Sequence, residues 1–385
     1  MDYHRGGGGV VVDDGTLFAG GADGVVRAFA PSSSDGGPRR ACSASASAHA
    51  GAIQCLAASA ASPVGGGGED DGGGAMVATG SMDQTLVTHV LLRRRGAGDG
   101  EEEDGATATT TTTMGLHAVY SGGHANSVSS VAFSGDGRTM ASGDWDGGLS
   151  LWSVPSASPS NLAEEDDVVD DDVNPKKKKK KKRRGGVDGA AAARDDGDGD
   201  GIREVKPLAS VRAHSSNVSG LAWGHDSPTT LITGSWDHGL RVYDTNRMDC
   251  VLTLNGSRVV SALGRCSNSN VVATGSPDCT VRLWDMRTNG GGGGSNGGMD
   301  KSLRQSHKAW VSSVRWSPTD PFVLASTSHD GTLKVWDIRS YLPLHTVNAV
   351  NSKKSGEKAL CLAFGDGVIF TGGSDCVVKQ FSCNI

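Results

Sequence analysis

Histidine, serine and aspartate recur together in this chain at spacings that could support acyl transfer. His307, Ser328 and Asp330 fall within one short stretch, with Trp336 close behind. A serine activated by a histidine that a carboxylate orients is the general form of a nucleophilic triad. His214, Ser235 and Asp237 repeat the order, and His124 with Asp146 repeats part of it. Repetition argues against catalysis, because an active site is needed once. The sequence holds neither a Gly-x-x-x-x-Gly-Lys-[Ser/Thr] phosphate loop nor a Gly-x-Ser-x-Gly elbow. Its 8 cysteines include no Cys-x-x-Cys pair. No catalytic, metal or cofactor site is therefore expected, and a reduced intracellular protein fits best.

The elements that position these residues show best between Lys308 and Arg339. Val311–Trp316, Val323–Thr327 and Thr332–Trp336 alternate apolar and polar residues, the period of half-buried strands. Ser317-Pro318 separates the first two, and Asp330-Gly331 makes a tight turn before the third. Such a unit cannot bury its own faces and must stack on others. It recurs as a turn Asp followed six positions later by a mostly aromatic residue. The pairs are Asp23/Phe29, Asp83/His89, Asp146/Trp152, Asp237/Tyr243, Asp278/Trp284, Asp330/Trp336 and Asp375/Phe381. This pattern resembles the WD-repeat family and implies an all-β, seven-bladed WD-repeat β-propeller over residues 10–385.

The resemblance also implies a role for the histidines. In the family, a His before the first strand, a Ser ending the second, the turn Asp and the third-strand Trp form a buried polar chain. His307, Ser328, Asp330 and Trp336 supply all four. The fourth repeat has Tyr243 in the Trp place, the third has Asp144 where Ser is expected, and the fifth has no His. These sets read as structural.

The chain has 57 glycines and a formal net charge of −6, which argues against a broadly basic nucleic-acid surface. Met1–Gly9 reads as a short disordered N-terminus and not as a signal peptide, and no run is long enough to span a bilayer. Residues 155–204 read as a disordered acidic and basic insert within blade three, and Gly-rich inserts interrupt blades two and five. Strand ends alternate between the two faces of a propeller. Pro63–Gly74, Arg93–Gly115, Pro155–Glu204 and Thr288–Lys301 all join first to second or third to fourth strands, so the long inserts share one face. The seventh blade is expected to have three strands and an open edge. Outer strands are expected at Lys206–Arg212 in blade three and Leu303–Gln305 in blade five.

The opposite face is left to dock a partner. Met82, Trp145, Trp236 and His329 each precede a turn Asp there, and Trp310 opens the first strand of blade six. Clustered tryptophans are what binding hot spots use. Arg241, Arg282 and Lys334 read as surface residues. The run Lys176, Lys177, Lys178, Lys179, Lys180, Lys181, Lys182, Arg183 and Arg184 reads as a nuclear-import address. Any direct rRNA contact by it would be weak, salt-sensitive and blind to sequence.

Local stretches narrow the resemblance. Gly80–Leu86, Gly123–Ser153, Ile232–Asp244, Leu252–Val260, Thr274–Thr288 and Ser306–Pro321 resemble the eukaryotic ribosome-biogenesis WD-repeat protein of the PeBoW complex. That resemblance implies a scaffold in the nucleus, nucleolus and nucleoplasm. It implies a Bop-type propeller protein, a Pescadillo-type protein and the pre-60S particle as partners, with no membrane role. The family carries a ubiquitin-like domain that engages a Midasin-type ATPase, and nothing ahead of Val10 matches it, so that partner is in doubt. A competing expectation is a WD-repeat substrate receptor of a cullin-type ubiquitin ligase. Trp284-Asp285-Met286-Arg287 and Trp336-Asp337-Ile338-Arg339 fit its WDxR adaptor motif.

Overall fold

A computed structural model describes residues 10–13, 16–29, 42–59, 75–95, 110–156, 203–224, 227–286, 299–303, 306–340, 342–350, 356–365 and 367–383. Every regular element among them is a strand. Blade 1 comprises β1 (Val10–Asp13), β2 (Thr16–Gly20), β3 (Val25–Phe29) and β4 (Cys42–Ser47). Blade 2 comprises β5 (Ile53–Ser59), β6 (Ala75–Ser81), β7 (Leu86–Arg95) and β8 (Thr110–Tyr120). Blade 3 begins with β9 (Val128–Phe133), β10 (Thr139–Asp144) and β11 (Gly148–Ser153). The chain next forms β12 (Arg203–Val205), and then β13 (Ala209–Arg212) completes blade 3. Blade 4 is β14 (Val218–Trp223), β15 (Thr230–Ser235), β16 (Gly239–Asp244) and β17 (Asp249–Asn255). Blade 5 is β18 (Ala262–Arg265), β19 (Val271–Gly275), β20 (Val281–Asp285) and β21 (Met299–Ser302). Blade 6 is β22 (Val311–Trp316), β23 (Val323–Ser328), β24 (Thr332–Asp337) and β25 (Pro343–Asn348). Blade 7 is β26 (Ala359–Gly365), β27 (Val368–Gly373) and β28 (Val378–Ser382).

The seven sheets close into a ring, because the first strand of each blade contacts that of the next and β26 contacts β1. The apolar clusters lie between blades, as stacking of one-faced units requires. Met76, Leu86 and Tyr120 of blade 2 pack with Val128, Met140 and Trp152 of blade 3. Leu283 and Val281 of blade 5 pack with Val311, Leu324 and Trp336 of blade 6. The small residue three before each turn Asp makes this approach close. A Cβ on Gly143 would sit 2.6 Å from Val218, and one on Gly275 would sit 2.5 Å from Val311.

All seven turns share one backbone. The residue after the turn Asp has positive φ in each: Gly24, Gln84, Gly147, His238, Cys279, Gly331 and Cys376. Glycine takes that conformation freely, whereas the four other residues are held in it at a cost.

Three expectations need correction. β12 was not foreseen: residues 203–205 leave the insert early and pair in parallel with Ala118–Tyr120, a fifth strand on blade 2. The β7–β8 ladder runs on to Arg95 and Thr110, inside the stretch taken for an insert, because β-branched threonine suits a strand. The outer strand of blade 5 is Met299–Ser302 and not Leu303–Gln305, since Leu303 is buried at 2% exposure just beyond the strand. Among the described residues blade 7 has three strands. The strand ends flanking residues 30–41, 60–74, 96–109, 157–202 and 287–298 are all first-to-second or third-to-fourth ends, so they lie at one end of the ring.

Candidate functional site

The histidines are structural parts, and their partners differ from the expected set. In blade 6, Trp336 Nε1 donates to Ser326 Oγ at 2.9 Å, and Ser326 Oγ lies 2.8 Å from His307 Nε2. His307 Nδ1 lies 3.2 Å from Asp330 Oδ2. Indole can only donate, so a proton order Trp–Ser–His–Asp with neutral imidazole satisfies every member. Burial lowers the His307 pKa and outweighs the pull of Asp330. Burial alone would raise the Asp330 carboxyl. Hydrogen bonds from His307, the Lys308 N–H and Thr332 win and hold it below the usual carboxylate range.

Ser328 is therefore not the member of this chain that was expected. Its hydroxyl donates to Ala309 O at 3.0 Å and accepts from the Asp330 N–H at 3.1 Å, bracing the turn. The true member sits four residues before the turn Asp. Blade 3 obeys the same rule: Ser142 lies 2.6 Å from His124 Nε2 and accepts from Trp152 Nε1 at 2.7 Å. Its carboxylate is Asp144, 2.9 Å from His124 Nδ1, and not Asp146. Blade 4 uses Thr233, 2.7 Å from His214 Nε2, with Asp237 at 2.9 Å from Nδ1. Its Tyr243 hydroxyl turns away and donates to Ala213 O at 3.0 Å. A fourth set went unread: His49 lies 2.8 Å from Thr79 Oγ1 and 3.3 Å from Asp83 Oδ2.

Where the histidine is missing, arginine takes the carboxylate. Gly256 stands at the histidine position of blade 5, beside a cavity of about 20 Å³. There Arg282, with 13% of its side chain exposed, pairs with Asp278, so it is not the surface residue expected. In blade 4 Arg241, 27% exposed and so not the surface residue expected, reaches Asp237 at 3.3 Å beside His214. In blade 1 Arg27 pairs with Asp23 at 2.5 Å.

The insert-free face carries the candidate site. The backbone N–H of the residue before the turn Asp bonds the carbonyl that precedes the first strand in blades 3, 4 and 6: Trp145 to Ser127, Trp236 to Asn217 and His329 to Trp310, at 3.1, 3.0 and 2.9 Å. These bonds aim the side chains at one another. Ring centroids of Trp145 and Trp236 are 5.6 Å apart, and those of Trp236 and Trp310 are 6.4 Å apart. Trp310 stacks on His329 at 6.0 Å. Four half-buried rings from blades 3, 4 and 6 thus form one strip. The buried Nε1 of Trp145 finds no acceptor among the described residues. Met82 stands outside these ring contacts and is 51% exposed. The basic run Lys176–Arg184 lies outside the described residues. Both WDxR tryptophans are internal: Trp284 donates to Thr274 at 2.8 Å and Trp336 to Ser326, while Arg339 pairs with its neighbour Asp337 at 2.6 Å.

A ring of seven β-sheet blades, braced by His–Asp chains and holding its aromatics on one clear face, defines a repeat-built interaction propeller. The family model for the WD domain, G-beta repeat, matches residues 116–153, 205–244, 248–285 and 298–337. The chain belongs to the WD-repeat family. It is 32% identical over 259 residues to a ribosome biogenesis protein WDR12 homolog of Nematostella vectensis, covering 66% of this chain and 53% of that protein. A WDR12 homolog of Chlamydomonas reinhardtii is 29% identical over 270 residues, covering 67% and 53%. One of Drosophila mojavensis is 30% identical over 265 residues, covering 67% and 52%. The chain spans about half the length of the curated relatives it matches.

Proposed function

We propose that this chain is a non-catalytic scaffold of ribosome biogenesis, acting in maturation of the large-subunit rRNAs and assembly of the large ribosomal subunit within a PeBoW-type complex. A Bop-type propeller protein docks on the insert-free face, and a Pescadillo-type protein joins through the same assembly on the pre-60S particle. The aromatic strip Trp145–Trp236–Trp310–His329 carries this reading. Rigid half-buried rings give large contact area at little entropic cost. The printed names of the relatives support the process. Import on Lys176–Arg184 places the work in the nucleus, nucleolus and nucleoplasm. Contact with rRNA is indirect or weak.

The test is a pull-down with the full chain and with a Trp236→Ala/Trp310→Ala variant. The Bop-type partner should be retained by the first and lost by the second at unchanged thermal stability. Retention by both would remove the strip from the interface. Recovery of a cullin-ligase adaptor in place of the Bop-type protein would move the chain to the competing class.

A further inference from the structure

The third residue after each turn Asp compares the seven blades directly. Val26, Leu86, Leu149, Leu240, Val281 and Leu333 are at most 1% exposed, and in each of their blades a fourth strand lies alongside. Val378, their counterpart in blade 7, is 38% exposed. The neighbouring blade shows the same contrast. Leu254, which pairs with Leu240, is buried, whereas Val347, which pairs with Leu333, is 37% exposed. Leu333 packs with Ile369 of blade 7, so Val347, on the same sheet face, looks towards blade 7. Val378 shares a strand face with Gln380, whose partner Phe370 packs with Leu17 of blade 1. The groove along the outer side of β28 therefore has an apolar residue bare on each flank.

This groove has the shape of one strand. Among the described residues nothing pairs with the outer side of β28, and its N–H and C=O groups there form a template for another strand. β25 and β4, the fourth strands on either side, stand one strand spacing further out, about 4.8 Å. A second copy of this chain cannot bring its own β28 into the groove, because both edges are recessed behind such strands. A single extended segment can enter. A strand covered on both faces needs a short continuous apolar run. Met1–Gly9, which precede β1 in sequence, hold four consecutive glycines and no two adjacent apolar side chains, so their chemistry does not suit it.

We propose that the groove beside β28 is a strand-addition site for an extended segment of a partner protein, matched in length to the 5 residues of β28 and built of β-branched residues with an apolar centre. The segment joins antiparallel to β28, as fourth strands join third strands in blades 4 and 6. Its side chains cover Val347 on one face and Val378 on the other. The site lies on the rim of blade 7 and is independent of the aromatic strip.

The test titrates the full chain into a fluorescent peptide, Lys-Thr-Val-Ile-Val-Thr-Lys, and follows its anisotropy. Binding should saturate, and exchange of the outward-facing β28 amides should slow by about tenfold with the peptide present. Val378→Lys and Val347→Lys, both at exposed positions, should each weaken binding by about tenfold at unchanged thermal stability. The peptide Lys-Thr-Val-Pro-Pro-Thr-Lys lacks two adjacent N–H donors and should not bind. Absence of saturable binding would overturn the site, as would equal binding of the proline peptide or undiminished binding by both variants. Outward-facing β28 amides already slow in the free chain would show that the chain fills the groove itself. A dimer of the free chain that Val378→Lys dissociates would give the groove to a second copy. Either of these outcomes also overturns the partner segment.

Discussion

Blades 3 to 6 and the junction of blades 7 and 1 close the same ring by different means. Along the arc, Ser129, Ser219, Ser261 and Ser312 each donate from one blade's first strand to a first-strand carbonyl of the next: Val218, Val260, Val311 and Ala359, at 2.8, 2.5, 2.7 and 2.7 Å. Blade 7 has Leu360 at that place. The arc holds His–Asp chains in blades 3, 4 and 6, whereas in blade 7 the corresponding Thr371 Oγ1 is buried without a partner among the described residues. Among the described residues the apolar cluster between blades 7 and 1 has three buried members, Leu17, Ala363 and Phe370. The repeat model matches blades 3 to 6 and none of blade 7, blade 1 or the first three strands of blade 2. Family character and internal bracing therefore coincide, and the junction is where the ring should open first.

The largest test compares cores. Trp336 is fully buried and donates into the polar chain, so Trp336→Ala should cost about 4 kcal/mol in urea unfolding. Phe29, half-buried at the junction, should cost about 1–2 kcal/mol when cut to Ala. Equal costs would show that the arc is no better packed than the junction.

Acid should next loosen the blades that hold buried histidines, 2, 4 and 6. Burial lowers the pKa values of His49, His214 and His307, and pushes His89 and His117 down to about 4. The unfolded chain takes up these protons first, near pH 6.5, so the stability is present above that value and is lost as pH falls towards 4. The loss should be on the order of 2–3 kcal/mol for each of the two most shifted histidines. Asp330, held low, adds a loss in the same direction below its ordinary value. After correction for the slower intrinsic rate at pH 5, hydrogen exchange at pH 5 against pH 7.5 should quicken in blades 2, 4 and 6 and hardly change in blades 7 and 1. Uniform quickening would refute the assignment.

Filling the fifth blade should follow. Gly256 has no φ in the left-handed region, and a Cβ there would meet His238 O at 3.1 Å and Trp284 at 3.3 Å. Gly256→His supplies an acceptor for Thr274 and should raise stability by about 1 kcal/mol if Arg282 yields Asp278. No gain would mean that arginine already serves blade 5 as well as histidine serves blade 6.

Much of this was legible in the sequence, and the misses have physical causes. The turn Asp and the aromatic six residues on placed 26 of 28 strands in order, because both sit where the backbone itself repeats. The hydroxyl four residues before the Asp is more regular than the serine two before it: Thr79, Ser142, Thr233, Thr274, Ser326 and Thr371 occupy it in blades 2 to 7. It was overlooked because both positions share one strand face, and only distances separate them. β12 has three residues and pairs with a strand far away in sequence, so no period announces it. The tryptophan positions could be read, but contact of Trp236 with Trp310 spans blade 5 and depends on ring geometry.

The smallest effect is the best control on the contrast. Cys279 in the arc has φ of 69° and Cys376 in blade 7 has φ of 58°, each directly after its turn Asp. Side chains pay roughly 1 kcal/mol there that glycine does not, though glycine also gives the unfolded chain more freedom. Cys279→Gly and Cys376→Gly should each stabilise by about 0.5 kcal/mol. Equal gains locate the difference between the two regions in packing and hydroxyl bonds, not in the turns. A gain several times larger at Cys376 would instead mean that a strained turn, and not a thin core, weakens blade 7.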